Sequence, residues 1–154
     1  MNPERVVIDT NVFISAALVP EAVPSRVVAY VLQHQRLLFS EQTFEELRTR
    51  LHRPKFDRYL SLDDRKLLLH DFNAAADWVA LDEVASFFRD KDDDKFVQTA
   101  LNGGARWLVS GDADLLCLGS VQSVQIVTPG QALTAFIKRL DTPTDRKSAI
   151  VKVQ

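Results

Sequence analysis

Several features that define common protein classes are scarce in this sequence. There is a single cysteine, Cys117, so no disulfide can form within the chain. No cluster of cysteine and histidine residues has the spacing of a zinc site. Glycine occurs only five times, and neither the Walker A pattern nor the glycine pattern of dinucleotide-binding folds is present. The chain therefore depends on a hydrophobic core, for which 46% of hydrophobic residues is sufficient.

Long apolar runs and an excess of basic residues are also missing. No run approaches the length of a membrane span, and only three consecutive apolar residues precede Asp9, which is too short for a signal peptide. We therefore expect a soluble, cytoplasmic protein. The net charge is −2, so the chain as a whole does not attract nucleic acid, and any such binding requires a local basic surface.

Short apolar runs alternate with amphipathic segments along the chain. Residues 6–8, 37–39, 107–109 and 124–127 predict buried strands, and 78–81 a further short one. Helices are predicted over residues 11–18, 25–34, 41–51, 62–79, 96–102 and 129–140. This alternation is typical of an α/β domain with a parallel sheet of four to five strands between helices. We assign residues 1–140 to this domain and residues 141–154 to a C-terminal tail.

Three expectations concern the burial and packing of particular side chains. The helix over residues 62–79 is predicted to bury a face that carries Leu67, Leu68 and Phe72. Cys117 is predicted to be a small core residue. The tryptophans, Trp78 and Trp107, are interpreted as packing residues rather than as platforms for nucleic-acid bases.

Acidic residues stand where the ends of the predicted strands meet. Asp9 and Asp112 each follow a strand, and the carboxyl ends of parallel strands form the ligand-binding edge of such a sheet. A run of three aspartates, 92–94, begins one helix, and the pair Glu45 and Glu46 lies on another. Carboxylates gathered in one pocket repel each other unless a cation neutralises them. Mg²⁺ or Mn²⁺ fits oxygen ligands, and such a site suits phosphodiester hydrolysis.

Each acid also has a structural interpretation. Asp9 and Asp112 can be turn residues, the three aspartates a helix cap, and Glu46 a solvated charge. A haloacid-dehalogenase-like phosphatase is a rival enzyme class, but it requires a general acid two residues after Asp9, where Asn11 stands. A non-catalytic RNA-binding or scaffolding domain is the rival of a different class. Such a domain needs no complete acidic set.

Four motifs resemble those of the PIN-domain nucleases, in the same order and over residues 5–138. They read VVIDTNVFIS, SEQTFEEL, RDKDDDKF and LVSGDADL. The resemblance implies a PIN-like (Rossmann-like) fold with Asp9, Glu46, Asp94 and Asp112 as catalytic and metal-binding residues. It further implies support from Thr10, Asn11, Asp93 and Ser110, with Asp114 as an additional metal ligand.

The subgroup that the motifs resemble most is the bacterial VapC-like toxins of toxin–antitoxin pairs. This similarity implies an endoribonuclease that uses Mg²⁺ or Mn²⁺, acts on RNA, forms a homodimer and has an antitoxin protein as a partner. A non-catalytic PIN-like domain remains the alternative.

One stretch of the acidic chain is basic. Within eleven residues it carries Arg48, Arg50, Arg53, Lys55 and Arg58. Its nearness to Glu46 predicts contacts to RNA phosphates, and its alternative interpretation is a solvated helix end. In the sequence, only Asp57 opposes this positive charge.

Overall fold

The chain folds into a central sheet covered by helices on both faces. A computed structural model describes residues 3–81 and 91–140, with the side chains of 91–93, 139 and 140 left out, so the predicted tail lies outside it. The strands are β1 (Arg5–Ile8), β2 (Arg36–Phe39), β3 (Asp77–Trp78), β4 (Trp107–Val109), β5 (Ser120–Val121) and β6 (Val124–Val127). The helices are α1 (Thr10–Leu18), α2 (Val23–His34), α3 (Glu41–Leu51), α4 (Leu62–Ala75), α5 (Lys91–Gly103), α6 (Ala113–Leu118) and α7 (Pro129–Leu140), with a 3-10 turn at Pro54–Phe56.

The strand order in the sheet is β3-β2-β1-β4-β6-β5. The first five strands of this order run parallel, and β5 is antiparallel to β6. The predicted parallel sheet is confirmed, but the predicted number of strands was too low. The extra strand, β5, has only two residues and pairs with β6 through a hairpin, and so short a segment shows no alternation in the sequence.

Both faces of the sheet are buried. On β1, Val6 and Ile8 belong to a core formed with α1, α2, α3, α4 and α7, whereas Val7 points into a smaller core with α5 and α6. A strand that is buried on both faces reads as a continuous apolar run, because successive side chains point to opposite sides. This explains why the run before Asp9 contains no polar residue.

Two predictions about burial were wrong. Leu67 is 58% exposed, whereas Phe72 is buried as predicted, and α4 also buries Arg65 and Leu69. The guanidinium of Arg65 is accommodated by the Leu60 carbonyl oxygen and the Asp57 carboxylate, at 2.6 and 2.9 Å from Nη2. Helical periodicity cannot register such partners, because they lie in the preceding turn. Cys117 is exposed, since α6 is a short helix that buries only Leu115.

The helix signals next to the acidic residues were correct. Ser40 caps α3, and its side chain accepts a hydrogen bond from the Thr43 backbone N–H at 3.2 Å. The second correct signal is the end of α5: this helix ends at Gly103, and the next residue, Gly104, has a φ of +65°. That left-handed conformation favours glycine and terminates helices.

The length of the helices bears on membrane insertion. Among the residues described, no single helix is long and apolar enough to cross a bilayer. The pair α1 and α2 meets the length and composition requirement only when taken together, and the two helices are bent by 108° at their junction.

We predict that the protein forms a homodimer through the apolar side chains that α2 and α4 expose. Leu32, Leu62 and Leu67 are 39%, 57% and 58% exposed. Burying them between two copies would remove apolar surface from water. Sedimentation equilibrium should give a dimer mass, and Leu67→Lys should shift it towards the monomer without unfolding the chain. A monomer mass at all concentrations would contradict this prediction.

Candidate active site

Asp9 occupies the junction between β1 and α1. Its backbone N–H continues the sheet by donating to the Val109 carbonyl oxygen at 2.9 Å. Its side chain caps α1, with Oδ1 accepting from the Asn11 backbone N–H at 3.3 Å and Oδ2 from the Ser110 hydroxyl at 2.7 Å. The residue is only 5% exposed. A strand end and a helix start therefore fix a carboxylate that is almost removed from water.

The surroundings of Asp9 resist its ionisation. Burial raises the pKa of the Asp9 carboxyl above its ordinary value. Hydrogen bonds from Ser110 and Asn11 oppose that shift, and the nearby carboxylates of Glu46 and Asp112 add to it. The structure thus brings three of the four predicted acids close enough to interact. A buried carboxylate whose neighbours are also acidic is a site where a cation would bind favourably.

Ser110 and Asp112 follow β4 beside Asp9. The Ser110 hydroxyl donates to Asp9 and accepts a hydrogen bond from the Asp112 backbone N–H at 2.9 Å. The Asp112 carboxylate caps α6 by accepting from the N–H groups of Asp114 and Leu115 at 2.8 and 3.2 Å. Asp114 is exposed in the first turn of that helix. Ser110 therefore connects the acids of the first and fourth motifs.

Glu46 contacts three side chains through its two carboxylate oxygens. Its Oε2 accepts a short hydrogen bond from the Thr10 hydroxyl. Its Oε1 forms ion pairs with Lys95 Nζ at 2.8 Å and Arg50 Nη2 at 3.1 Å. The Glu46 side chain is 9% exposed, so water screens these charges weakly. Two basic side chains therefore balance the charge of this acid before any metal binds.

Asp94 lies in the first turn of α5 and is 2% exposed. The helix is held against α3 by a buried hydrogen bond from the Thr99 hydroxyl to Ser40 Oγ, at 2.9 Å. Because Ser40 caps α3, this bond sets α5, with Asp94 and Lys95, beside the helix that carries Glu46. The side chain of Asp93, predicted to support the site, lies outside the described part of the chain.

The acids at this edge fit a hard divalent cation in their chemistry. Asp9, Glu46, Asp94 and Asp112 offer only carboxylate oxygens, the ligands that Mg²⁺ and Mn²⁺ prefer. In the described residues, no three His, Cys, Asp or Glu side chains are placed to enclose one ion. Mg²⁺ commonly uses one or two carboxylates and keeps water as its other ligands. The donor chemistry of these carboxylates is therefore compatible with an ion that keeps most of its water ligands.

The residues of the basic stretch fall into two groups, those that line grooves near Glu46 and those that do not. Arg48 forms a two-pronged ion pair with Glu45 on the surface. Arg50 and Arg53 line a groove of about 470 Å³ that also includes Glu46 and Lys95. The same two arginines and Lys55 line a second groove of about 220 Å³, which reaches Asn11. Arg58 is exposed and lines neither groove. Asp57, which the sequence sets against this charge, instead pairs with Arg65.

Comparison with known proteins agrees with this arrangement. The PIN-domain family, by its sequence pattern, matches residues 5–114, a span that contains Asp9, Glu46, Asp94 and Asp112. The chain belongs to the PIN-domain family. PIN domains are generally metal-dependent nucleases, so the predicted resemblance is confirmed at the level of the family.

Two individual proteins extend the comparison. This PIN domain is 31% identical over 116 residues to the uncharacterized protein MJ1680 of Methanocaldococcus jannaschii. The aligned region covers 74% of each chain. The fold of this PIN domain is similar to a chain in the crystal structure of VapBC2 from Rickettsia felis bound to a DNA fragment from their promoter. The TM-score is 0.56 and the identity 10%, over 80% of this chain and 98% of that chain. At that identity the likeness shows the fold of the PIN domain.

Two features of the PIN-domain site were not predicted. The ion pair between Lys95 and Glu46 joins the third motif to the second, and the bond between Thr99 and Ser40 holds their helices together. The sequence offered one signal for the role of Lys95: it directly follows Asp94, a predicted metal ligand, so a contact with the acidic site could have been expected. Which acid it faces depends on the packing of α5 against α3, which the sequence does not show.

Proposed function

We propose that this PIN domain is an endoribonuclease that hydrolyses phosphodiester bonds in RNA with Mg²⁺ or Mn²⁺. The observation that carries the proposal is the position of Asp9. Its buried carboxylate interacts with those of Glu46 and Asp112, and the groove that contains Glu46 also includes three basic residues. A carboxylate pocket that binds cations beside a phosphate-binding surface suits metal-assisted hydrolysis.

The chain's own residues have distinct parts in this proposal. Bound metal would lower the pKa of a water molecule and polarise the phosphate. Asp9 would bind the ion, with Ser110 and the Asn11 N–H fixing the orientation of its carboxylate. Thr10 orients Glu46, the second proposed ligand. Asp94 and Asp112 complete the acidic edge, and Asp114 is a further candidate ligand at the rim.

A cleavage assay tests this function directly. The protein should degrade a mixed single-stranded RNA, labelled at one end, in the presence of Mg²⁺ or Mn²⁺, and internal fragments should appear first. Glu46→Gln is the control, because it keeps the shape of the side chain and removes the charge. The same assay on single-stranded DNA identifies the preferred polymer. No cleavage of either polymer, or undiminished cleavage by the control, would overturn the proposal.

A non-catalytic RNA-binding domain is the second candidate. It is favoured by the two ion pairs of Glu46, because Lys95 and Arg50 already supply the positive charge that a metal would bring. This candidate predicts RNA binding that is equally strong with Mg²⁺ and with chelator, and no cleavage. The proposed nuclease is preferred because Asp9 and Asp94 are buried acids that a passive RNA-binding surface does not need.

We further propose that the protein is the toxin of a toxin–antitoxin pair and binds an antitoxin protein. The support is the likeness of its fold to that seen in the VapBC2 complex of Rickettsia felis. Expression of the protein alone should arrest growth of a bacterial host, and Glu46→Gln should abolish the arrest. Normal growth with active protein present in the cell would remove the toxin role while leaving the nuclease proposal intact.

We predict that Arg53 and Lys55 bind RNA phosphates. Both are exposed; Arg53 lines the groove that contains Glu46 and also the second groove, and Lys55 lines the second groove. Arg50 is left unchanged, because it also touches Glu46. Each phosphate contact releases counterions, so Arg53→Ala with Lys55→Ala should reduce the slope of log K against log salt by about 1.4, at roughly 0.7 per contact. The loss should be similar for all sequences, since phosphate contacts do not read bases.

The matched control replaces two cations of the same stretch that the grooves do not include. Arg48→Ala with Arg58→Ala removes the same charge but should leave the salt slope nearly unchanged, because Arg48 pairs with Glu45 and Arg58 lines neither groove. Binding is measured by fluorescence anisotropy in an Asp9→Asn background, so that the RNA stays intact. Equal slopes for the two double variants would contradict the assignment of the grooves.

A further inference from the structure

A cavity at the edge of the sheet has a chemistry unlike that of the basic grooves. It measures about 460 Å³ and is lined by the residues around β3 and the start of α3, namely Glu41, Gln42, Trp78, Val79, Ala80 and Leu81. Trp78 is 44% exposed. By contrast, Trp107 is 6% exposed, and its indole N–H donates to Glu4 Oε1 at 3.2 Å. Both tryptophans pack against other side chains, as the sequence analysis expected, but only Trp107 is buried.

The Trp78 side chain is held in place by its strand and by two aromatic neighbours. Trp78 is the last residue of the edge strand β3 and pairs in register with Phe39 of β2. Its ring centroid lies 5.9 Å from that of Phe39 and 5.3 Å from that of Phe44, to which it is edge-on. Two aromatic partners behind the indole hold it in place, while much of its surface remains exposed. A fixed, exposed aromatic face is what base stacking requires.

The sheet sets Trp78 close to the acidic site. Val7 pairs with Leu38 and Leu38 with Asp77, so β1 and β3 are separated by two strand spacings, about 10 Å. Trp78 follows this row by one residue and Asp9 by two, so both stand at the carboxyl edge of the sheet. Gln42 lines both the Trp78 cavity and the groove that contains Glu46 and Lys95. The two cavities therefore adjoin at the N-terminal end of α3.

The lining of the Trp78 cavity selects against phosphate. None of its six lining residues is basic, and Glu41 would repel an anion. An uncharged aromatic ring can instead lie against the indole, and the Gln42 amide can hydrogen-bond to the edge of a base. From Arg53, just after α3, towards the start of that helix, the surface thus changes from basic, through the acidic site at Glu46, to the aromatic ring of Trp78 on the nearby strand β3.

We propose that Trp78 is a base-stacking subsite for a nucleotide next to the scissile bond of a single-stranded substrate. This inference rests on the proposed function, because it assigns a further part of the same RNA path. The phosphates would contact the grooves at Arg53 and Lys55. An unpaired base would turn away from the neighbouring bases and stack on the indole of Trp78. Duplex RNA would not bind in this way, since its bases are already stacked on each other.

The fluorescence of Trp78 tests the inference. In an Asp9→Asn, Trp107→Phe protein, Trp78 is the only tryptophan, since the chain has two. A single-stranded RNA oligonucleotide should quench it on binding, whereas an abasic oligonucleotide of the same length should bind through the grooves without quenching. In the matched Asp9→Asn, Trp78→Phe protein the remaining indole is buried, and RNA should not quench it. Anisotropy of a labelled oligonucleotide measures binding independently in every case.

Affinity supplies the second measurement. Trp78→Ala should weaken binding of the RNA by about 5- to 150-fold, the range expected for the loss of one stacked base. Binding of the abasic oligonucleotide should not change. Trp78→Phe keeps a ring that packs on Phe39 and Phe44, so it should recover part of the loss and shows whether Trp78→Ala acts through misfolding.

The outcomes separate this inference from the proposed nuclease activity. Saturating RNA binding without quenching of Trp78, or equal loss of RNA and abasic binding in Trp78→Ala, overturns the stacking subsite and leaves the nuclease proposal standing. Quenching without cleavage by the wild type supports the subsite and overturns the nuclease proposal. Absence of any RNA binding overturns both.

Discussion

Asp9→Asn is expected to abolish RNA cleavage and, at neutral pH, to leave the metal-free fold as stable as the wild type or more stable. The asparagine keeps an oxygen that can accept the Asn11 N–H, so the cap of α1 survives. It removes a buried negative charge that interacts unfavourably with Glu46 and Asp112. Cleavage of labelled RNA and urea unfolding in EDTA measure the two effects.

The stability effect of Asp9→Asn should depend on pH. The pKa of Asp9 is raised in the folded state, so the folded chain binds the proton more tightly than the unfolded chain does. The favourable contribution of the protonated carboxyl is fully present below the unfolded pKa and is lost as the pH rises through the folded pKa. The free-energy difference between variant and wild type should therefore grow over that interval and be constant at higher pH.

Asp114→Asn is the matched control for this prediction. It makes the same chemical change at an exposed position, where water screens the charge, so its unfolding free energy should follow that of the wild type across the pH range. A destabilised Asp9→Asn protein in EDTA, or one that retains wild-type cleavage, would contradict the role that we assign to Asp9.

Removal of divalent metal is expected to reduce cleavage to background. The residues that we describe at the sheet edge provide carboxylates and no imidazole or thiolate that could replace the ion in catalysis. Asp9 is also too buried for water to stabilise its negative charge well. Cleavage should stop in excess EDTA and return with Mg²⁺ or Mn²⁺. The measurement is a titration of each metal into the chelated protein, and full activity in EDTA would contradict it.

Metal binding should also appear in the melting temperature. At a metal concentration of 100 times Kd, binding stabilises the folded state by about 2.7 kcal/mol. For a chain of 154 residues this corresponds to a rise of roughly 5 to 10 °C. Asp9→Asn should show a much smaller rise in melting temperature. The rise measured for Asp114→Asn shows whether Asp114 also contributes to metal binding. Equal shifts in Asp9→Asn and wild type would exclude Asp9 as a ligand.

Lys95 and Arg50 would limit how tightly the proposed metal binds at Glu46. Both form ion pairs with Glu46 Oε1, so an ion that takes this oxygen must displace them or share it. Their charges also stabilise Glu46 in the absence of metal. In the proposed metal site, these two ion pairs would therefore compete with the cation for Glu46 Oε1.

Local sequence determined much of the fold of this protein. The apolar run that ends at Asp9 became β1, because a strand buried on both faces admits no polar residue. Ser40 marked the beginning of α3, and Gly104 follows the end of α5, because each satisfies a backbone requirement within its own few residues. The acids after β1 and β4 were expected at one edge, since parallel neighbouring strands end there.

Contacts between distant residues were decided only by the tertiary structure. Lys95 meets Glu46 because a buried hydrogen bond joins α5 to α3, and Arg65 is buried because a carbonyl oxygen and Asp57 receive it. Trp78 is exposed because it ends an edge strand, whereas Trp107 lies inside the same sheet. Periodicity reports which side of an element a residue occupies. It carries no information on which partner that side meets, and the charges and aromatic faces of this site depend on those partners.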